Sequence, residues 1–218
     1  MPRAPRIWFP GAVYHIIQRG VDQQEIFRQE GDRRDFLNIA EEVKTKMPFK
    51  VYLYVLMDNH YHMTIETPET HISQIMHAIN SVYAAEFNKR YGRKGHLFQS
   101  RFKGILVDKD NYLIELSRYI HLNPVKAGLV NDPKDYVWSS YGNYINKRDD
   151  FFVDTELILA SFKSGSLDSN KRYEYFVNEK LNINNQEPDW LHKNTKRRRF
   201  LGSGNFINMV LEKGARHL

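Results

Sequence analysis

The chain has 218 residues, 41% of them hydrophobic, with a formal charge of +6 and no cysteine. That is long enough for one domain with an appendage, or two small domains, around a real core, and it excludes disulfide frameworks, thiolate metal sites and cysteine nucleophiles. No apolar run approaches membrane-spanning length and Met1-Pro2-Arg3-Ala4-Pro5-Arg6 lacks the apolar segment of a secretory signal, so the expectation is a cytoplasmic protein.

Val13 to Arg19 reads as a strand closed by Gly20. Asp32 to Lys46 reads as a helix, with Phe36, Leu37, Ala40 and Val43 at helical spacing. Lys50 to Met57 is a nearly continuous apolar run suited to a central strand. Asp58-Asn59 is a turn pair, so the strand that follows, His60 to Glu66, is expected to fold back antiparallel. Alternation there puts His60, His62, Thr64 and Glu66 on one face and Tyr61, Met63 and Ile65 on the other.

Thr70 to Tyr91 is the clearest helix, striped by Ile72, Ile75, Met76, Ile79, Val82, Tyr83 and Phe87, with Thr70 as the expected N-cap. A basic loop opens at Gly92 and Gly95. Gly104 to Val107 reads as a short strand, and Asp110 to Leu122 as a helix ended by Asn123-Pro124. Beyond about residue 145 the pattern changes to short helical pieces, Asp154 to Lys163, Ser169 to Leu181 and Asn205 to Glu212. The expected division is a domain over 1–145 and a helical accessory region over 146–218. Strands and helices alternating around antiparallel pairings predict an α+β fold, one sheet with helices against it.

The chemistry-bearing residues converge on two elements. His60 and His62 on one strand face could present two nitrogen ligands to a metal ion, although such a pair also occurs as a structural feature bonded to its neighbours. Two ligands demand a third. At about 100° per residue, Tyr119 and Asn123 lie some 40° apart on the helix beginning at Asp110, whereas His121 is rotated roughly 160° from Tyr119 and is expected to point elsewhere. Glu115, one turn before Tyr119, could orient a group or be an alternative ligand. Two imidazoles and one helix oxygen would leave open positions on the metal, and a phenol beside it could attack a phosphorus held there.

From Phe87 to Val107 there is no acidic residue, and Lys89, Arg90, Arg93, Lys94, Arg101 and Lys103 are interleaved with Tyr91, Phe98 and Phe102. Basic groups neutralise phosphates and aromatic rings stack on unpaired bases, so the composition suits a single-stranded nucleic acid. Arg93, Lys94, Arg101 and Lys103 are the candidate DNA contacts near the site, with Arg3 and Arg6 as a flexible basic arm. Lys196-Arg197-Arg198-Arg199 is a further phosphate patch or a solubilising run.

Arg118-Tyr119-Ile120-His121-Leu122-Asn123-Pro124-Val125-Lys126-Ala127-Gly128-Leu129-Val130, with His60-Tyr61-His62 upstream, closely resembles the REP-associated tyrosine transposases, which belong to the HUH single-tyrosine group. Tyr14-His15 with Gln18-Arg19-Gly20, the stretch from Gly95 to Lys103, and Asp135-Tyr136 with Trp138-Ser139-Ser140-Tyr141 extend the likeness over about residues 6–145. The resemblance implies a ferredoxin-like or RRM-like antiparallel sheet flanked by helices. It implies that His60, His62 and Asn123 bind Mg²⁺ or Mn²⁺, and that Tyr119 attacks single-stranded DNA to leave a 5′-phosphotyrosine link and a free 3′-hydroxyl. Hairpin-forming single strands would be the partner, in a bacterial cytoplasm at the nucleoid. Monomeric action is expected, since REP-associated members act so, whereas insertion-sequence relatives exchange the tyrosine helix in dimers. A catalytically silent hairpin-binding protein is the competing reading. An RRM-like RNA-binding module would need aromatic pairs where this chain has histidines, and a hydrolase using water would give Tyr119 no role.

Overall fold

A computed structural model describes residues 6–148, 150, 152–164, 167–181 and 200–215. Arg3 and the run from Lys196 to Arg199 lie outside the described residues. Five strands form one sheet in the order β2-β3-β1-β4-β5: β1 Ala12–Arg19, β2 Lys50–Met57, β3 His60–Thr67, β4 Lys103–Val107 and β5 Phe200–Leu201. The first four pair antiparallel, whereas β5 runs parallel to β4. The sheet is therefore mixed and not wholly antiparallel, because the C-terminal segment adds an edge strand. The expected α+β architecture is what the molecule has.

One face of the sheet packs on α1 (Glu30–Lys46) and α2 (Ile72–Arg90). Tyr61 of β3 belongs to that face: its ring lies 4.6 Å from Phe36 and its hydroxyl donates to Asn80 Oδ1 at 2.7 Å. Asp32 pins the two helices together. Its buried carboxylate caps α1 through the amides of Arg28 and Gln29 and accepts from Arg90 and Tyr91 of the α2 end. The N-cap of α2 is His71, whose Nδ1 accepts from the Ser73 amide at 3.0 Å; Thr70 lies one residue too early.

The opposite face is covered by α3 (Lys109–His121), whose buried Leu113, Leu116 and Ile120 form its sheet-facing stripe. Lys109 reaches Glu66 at the far end of β3 at 3.5 Å, and Tyr119 reaches His62 near its beginning. The helix thus runs along the histidine face in the direction opposite to β3. Pro124 cannot continue the amide ladder, and the chain turns through the short α4 (Asn123–Lys126).

The region beyond 145 is built into the same core and is not purely helical. Short helices α5 (Tyr141–Tyr144) and α6 (Glu156–Ala160) precede α7 (Ser169–Asn178), which buries Tyr173 and Val177. After β5 comes α8 (Gly204–Ala215), with Val210 fully buried. Among the described residues no helix is long and apolar enough to cross a membrane.

Candidate active site between β3 and α3

The β1–β3 register sets the lower layer of the site. Arg19 is opposite His60, Ile17 opposite His62 and His15 opposite Thr64, so these side chains share one sheet face. Lys103 of β4 is opposite Ile17 and joins them. The alternation expected in β3 is present, but the histidine face is no open surface: His62 is 5% exposed and Thr64 fully buried under α3.

The His60 and His62 rings lie edge to face with centroids 5.1 Å apart. Each Nδ1 has a partner. That of His60 lies 2.6 Å from Asn59 Oδ1, and that of His62 lies 2.9 Å from His15 Nε2. When both Nδ1 atoms donate, both Nε2 atoms keep a lone pair, which is the form in which imidazole binds a metal. Burial holds the rings neutral: it pushes His60 down to about 4, assisted by the Arg19 guanidinium, and His62 well below its ordinary value, assisted by His15, His60, Arg19 and Lys103. Arg19 and Lys103 make the surroundings of the imidazoles positive even with the rings uncharged, which suits an anionic substrate.

Tyr119 stands edge-on to His62, centroid to centroid 6.2 Å, and is 8% exposed. Lys126 Nζ lies 5.2 Å from the centre of its ring. Asn123 is on the same side: its Nδ2 donates to the Tyr119 carbonyl at 2.8 Å, so the acceptor-only partner orients the amide and Oδ1 is the atom left for a cation. Among the described residues no three His, Asp or Glu side chains form a ready cation cluster. An amide oxygen with two neutral imidazoles would suit several divalent metals, Mg²⁺ and Mn²⁺ among them.

His121 faces away, as its helical angle predicts. It is fully buried, with Nδ1 2.7 Å from the Tyr173 hydroxyl and Nε2 2.8 Å from Ser140 Oγ. Glu115 pairs within α3 with Arg118, whose Nη2 lies 2.7 and 2.5 Å from its two carboxylate oxygens. Arg118 continues to the Phe176 carbonyl at 3.1 Å.

The basic candidates scatter. Lys103 alone of the four shares the imidazole face. Arg101 instead lines a groove of about 740 Å³ between α2 and the loop over 95–102, with Gln18, Asn80 and Phe98. Arg93 packs over Phe87 just beyond α2, and Lys94 follows it, so neither is beside Tyr119. Arg6 is no part of a flexible arm: its guanidinium sits 3.8 Å from the Phe102 ring centre and donates to the Phe102 carbonyl at 2.6 Å. Two residues of the site were not singled out from the sequence as site residues. Arg19 and His15 stood only among matching motifs, and the signal that could have found them is their i, i+2 and i, i+4 spacing on a strand ending at Gly20.

The family model for IS200-like transposases matches residues 9–123, more than half of the chain, a span that begins before β1 and ends at Asn123. The chain belongs to the IS200-like transposase family. His60, His62, Tyr119 and Asn123 of this IS200-like chain all fall within the match. Among solved structures, a REP-associated tyrosine transposase bound to a REP hairpin is similar at 20% identity and a TM-score of 0.56, covering 71% of this chain and 98% of that one. At that identity the likeness shows a common fold. A candidate transposase from Deinococcus radiodurans R1 aligns over 53% of this chain and 94% of its own, at 15% identity and a TM-score of 0.39. No curated protein matches the sequence.

Proposed function

We propose that the protein binds hairpin-forming single-stranded DNA and cleaves and rejoins it through Tyr119, with a divalent cation held by His60, His62 and Asn123. The observation that carries this reading is the meeting of Tyr119 with His62 beside Arg19 and Lys103, each imidazole having its Nδ1 engaged. The cation, Mg²⁺ or Mn²⁺, would polarise the scissile phosphate and offset charge as it develops. Tyr119 supplies the nucleophile: its phenol loses a proton, its oxygen bonds to phosphorus, and the bond to the 3′-oxygen breaks. The departing 3′-oxygen gains a proton, and the 5′-phosphotyrosine keeps the phosphodiester energy for the reverse attack by a 3′-hydroxyl.

An ordinary phenol has a pKa near 10, so Tyr119 must lose a proton to react, and the Lys126 ammonium lies 5.2 Å from the centre of its ring. Arg19 and Lys103 flank the imidazoles where a phosphate would be drawn in. A monomer as the acting unit belongs to the same proposal. Hairpin DNA as partner draws support from the bound REP hairpin in the similar transposase structure. The test is to mix the protein with labelled hairpin-bearing single strands and Mn²⁺ and to look for a band that survives denaturation. Wild type gives the band and Tyr119→Phe does not; an adduct that persists in the variant overturns the assignment of the nucleophile.

A further inference from the structure

We propose that His15 is a positioning residue for the cation site: when a cation binds, it accepts the Nδ1 proton of His62 and so leaves His62 Nε2 bare for the metal. This rests on the reading of His60 and His62 as cation ligands. The register places His15 diagonally across from His62 on the same face, since His62 is opposite Ile17 and Thr64 is opposite His15. The two rings meet at 73° with centroids 5.1 Å apart, and the facing nitrogens, His15 Nε2 and His62 Nδ1, are 2.9 Å apart. His15 is 1% and His62 5% exposed, so the contact is shielded from bulk solvent.

A neutral imidazole carries one N–H, and between two facing nitrogens only one proton fits. That leaves two arrangements of the pair. In one, His62 Nδ1 donates to His15 Nε2, the His15 proton sits on Nδ1, and His62 Nε2 has a lone pair. In the other, His15 Nε2 donates, His62 accepts, and the His62 proton occupies Nε2, where it blocks coordination. Both arrangements hold two protons, so passing between them needs no net uptake or release.

The buried His15 Nδ1 has no hydrogen-bond partner. An unsatisfied buried N–H costs more than an unsatisfied lone pair, so without a cation the pair rests in the blocked arrangement. A cation at His62 Nε2 withdraws electron density from the ring, makes Nδ1–H the stronger donor and draws the pair into the open arrangement. His15 is what gives that donor an acceptor. His60 has the same device in a simpler form, because Asn59 Oδ1 accepts from its Nδ1 without a tautomer change.

The test compares His15→Leu with His15→Gln, whose side-chain oxygen accepts a hydrogen bond about where Nε2 stands. Mn²⁺ affinity is read from the free-ion electron paramagnetic resonance signal, and metal-free thermal unfolding reports the fold. Expected is a loss of about ten- to hundredfold in Mn²⁺ affinity for His15→Leu, with His15→Gln within a few-fold of wild type. Wild-type affinity in a folded His15→Leu protein overturns the proposal, and so does equal loss in both variants. Because His15→Leu could fail to fold, nitrogen-15 spectra of the wild-type histidines give a second reading. Saturation with Mg²⁺ is expected to move the His62 proton from Nε2 to Nδ1; a proton that stays on Nε2 overturns the proposal. A wild type that binds no Mn²⁺ at all overturns the ligand reading on which the proposal stands.

Discussion

The ring of Tyr119 meets that of His62 edge-on, with centroids 6.2 Å apart. One side chain comes from the last turn of a helix, the other from the beginning of a central strand, and α3 brings them together by lying along the sheet with Lys109 tied to Glu66 at its other end. Both therefore open on the same pocket, and the substitutions below separate the groups that build it from those that act in it.

His60→Ala removes one proposed cation ligand while leaving the core of β3 intact, because Tyr61, Met63 and Ile65 are the fully buried residues of that strand's other face. The expected outcome is loss of the covalent adduct and of Mn²⁺ binding, with hairpin affinity in metal-free buffer within about twofold of wild type. Gel-shift titration beside the adduct assay checks it. Parallel loss of hairpin binding would mean that His60 supports the fold.

Gly20 closes β1 beside the site, and its amide donates to the Asn59 carbonyl at 2.9 Å. A Cβ there would clash with the Gln24 carbonyl oxygen and lie 2.9 Å from Ile26 Cγ2. Gly20→Ala is therefore expected to cost about 1–3 kcal/mol of stability. It should also weaken Mn²⁺ binding, since Asn59, which holds His60, is displaced. Urea unfolding and a Mn²⁺ titration on the same sample measure both effects; unchanged values would show that the turn absorbs the methyl.

Tyr173 carries no proposed chemistry yet fastens α7 to α3. Its hydroxyl lies 2.9 Å from Ser117 Oγ and 2.7 Å from His121 Nδ1. Tyr173→Phe leaves the buried His121 Nδ1 without a partner, while Ser117 Oγ keeps its bond to the Ile114 carbonyl, with an expected cost of about 1–3 kcal/mol. Chemical denaturation tests this, and the adduct yield at low temperature should remain that of wild type because Tyr119 faces the other way.

Burial lowers His121 to about 3, with His15 at about 3 and His60 at about 4 shifting in the same direction. Their unfolded values lie near 6.5, so between about pH 6.5 and 3 the unfolded chain binds protons that the native chain does not. Stability then rises with pH: it is fully present above the unfolded value and is lost as pH falls toward the folded ones. Urea midpoints measured from pH 7.5 to 4.5 should be level above about pH 6.5 and decline below it. A level profile down to pH 4.5 would contradict the neutral, buried state of these rings.

The strand carrying the two histidines was legible because a period of two sorts His60 and His62 from Tyr61 and Met63 without any tertiary information. Tyr119 and Asn123 were legible from the helical period, and so was the departure of His121. His15 was not, since its role exists only once β1 and β3 are in register, and the polar residues of Ala12 to Arg19, namely His15, Gln18 and Arg19, do not alternate to announce one face. The cover over the histidine face follows from α3 and was hidden for the same reason. Two residues, Phe200 and Leu201, are too short a strand to give any periodic signal; only the free edge of β4 makes them one. Arg6 looked like an arm because sequence shows its charge and not the Phe102 ring beneath it.

The central claim is that Tyr119 becomes covalently joined to DNA. Its most direct test is to digest the adduct formed with a hairpin single strand and Mn²⁺ and to map the modified peptide by mass spectrometry. One modified residue is expected, Tyr119, linked to the 5′-phosphate of the cleaved strand, with a free 3′-hydroxyl on the other fragment. A link to any other residue, or cleaved DNA bearing an unattached 5′-phosphate, would contradict it.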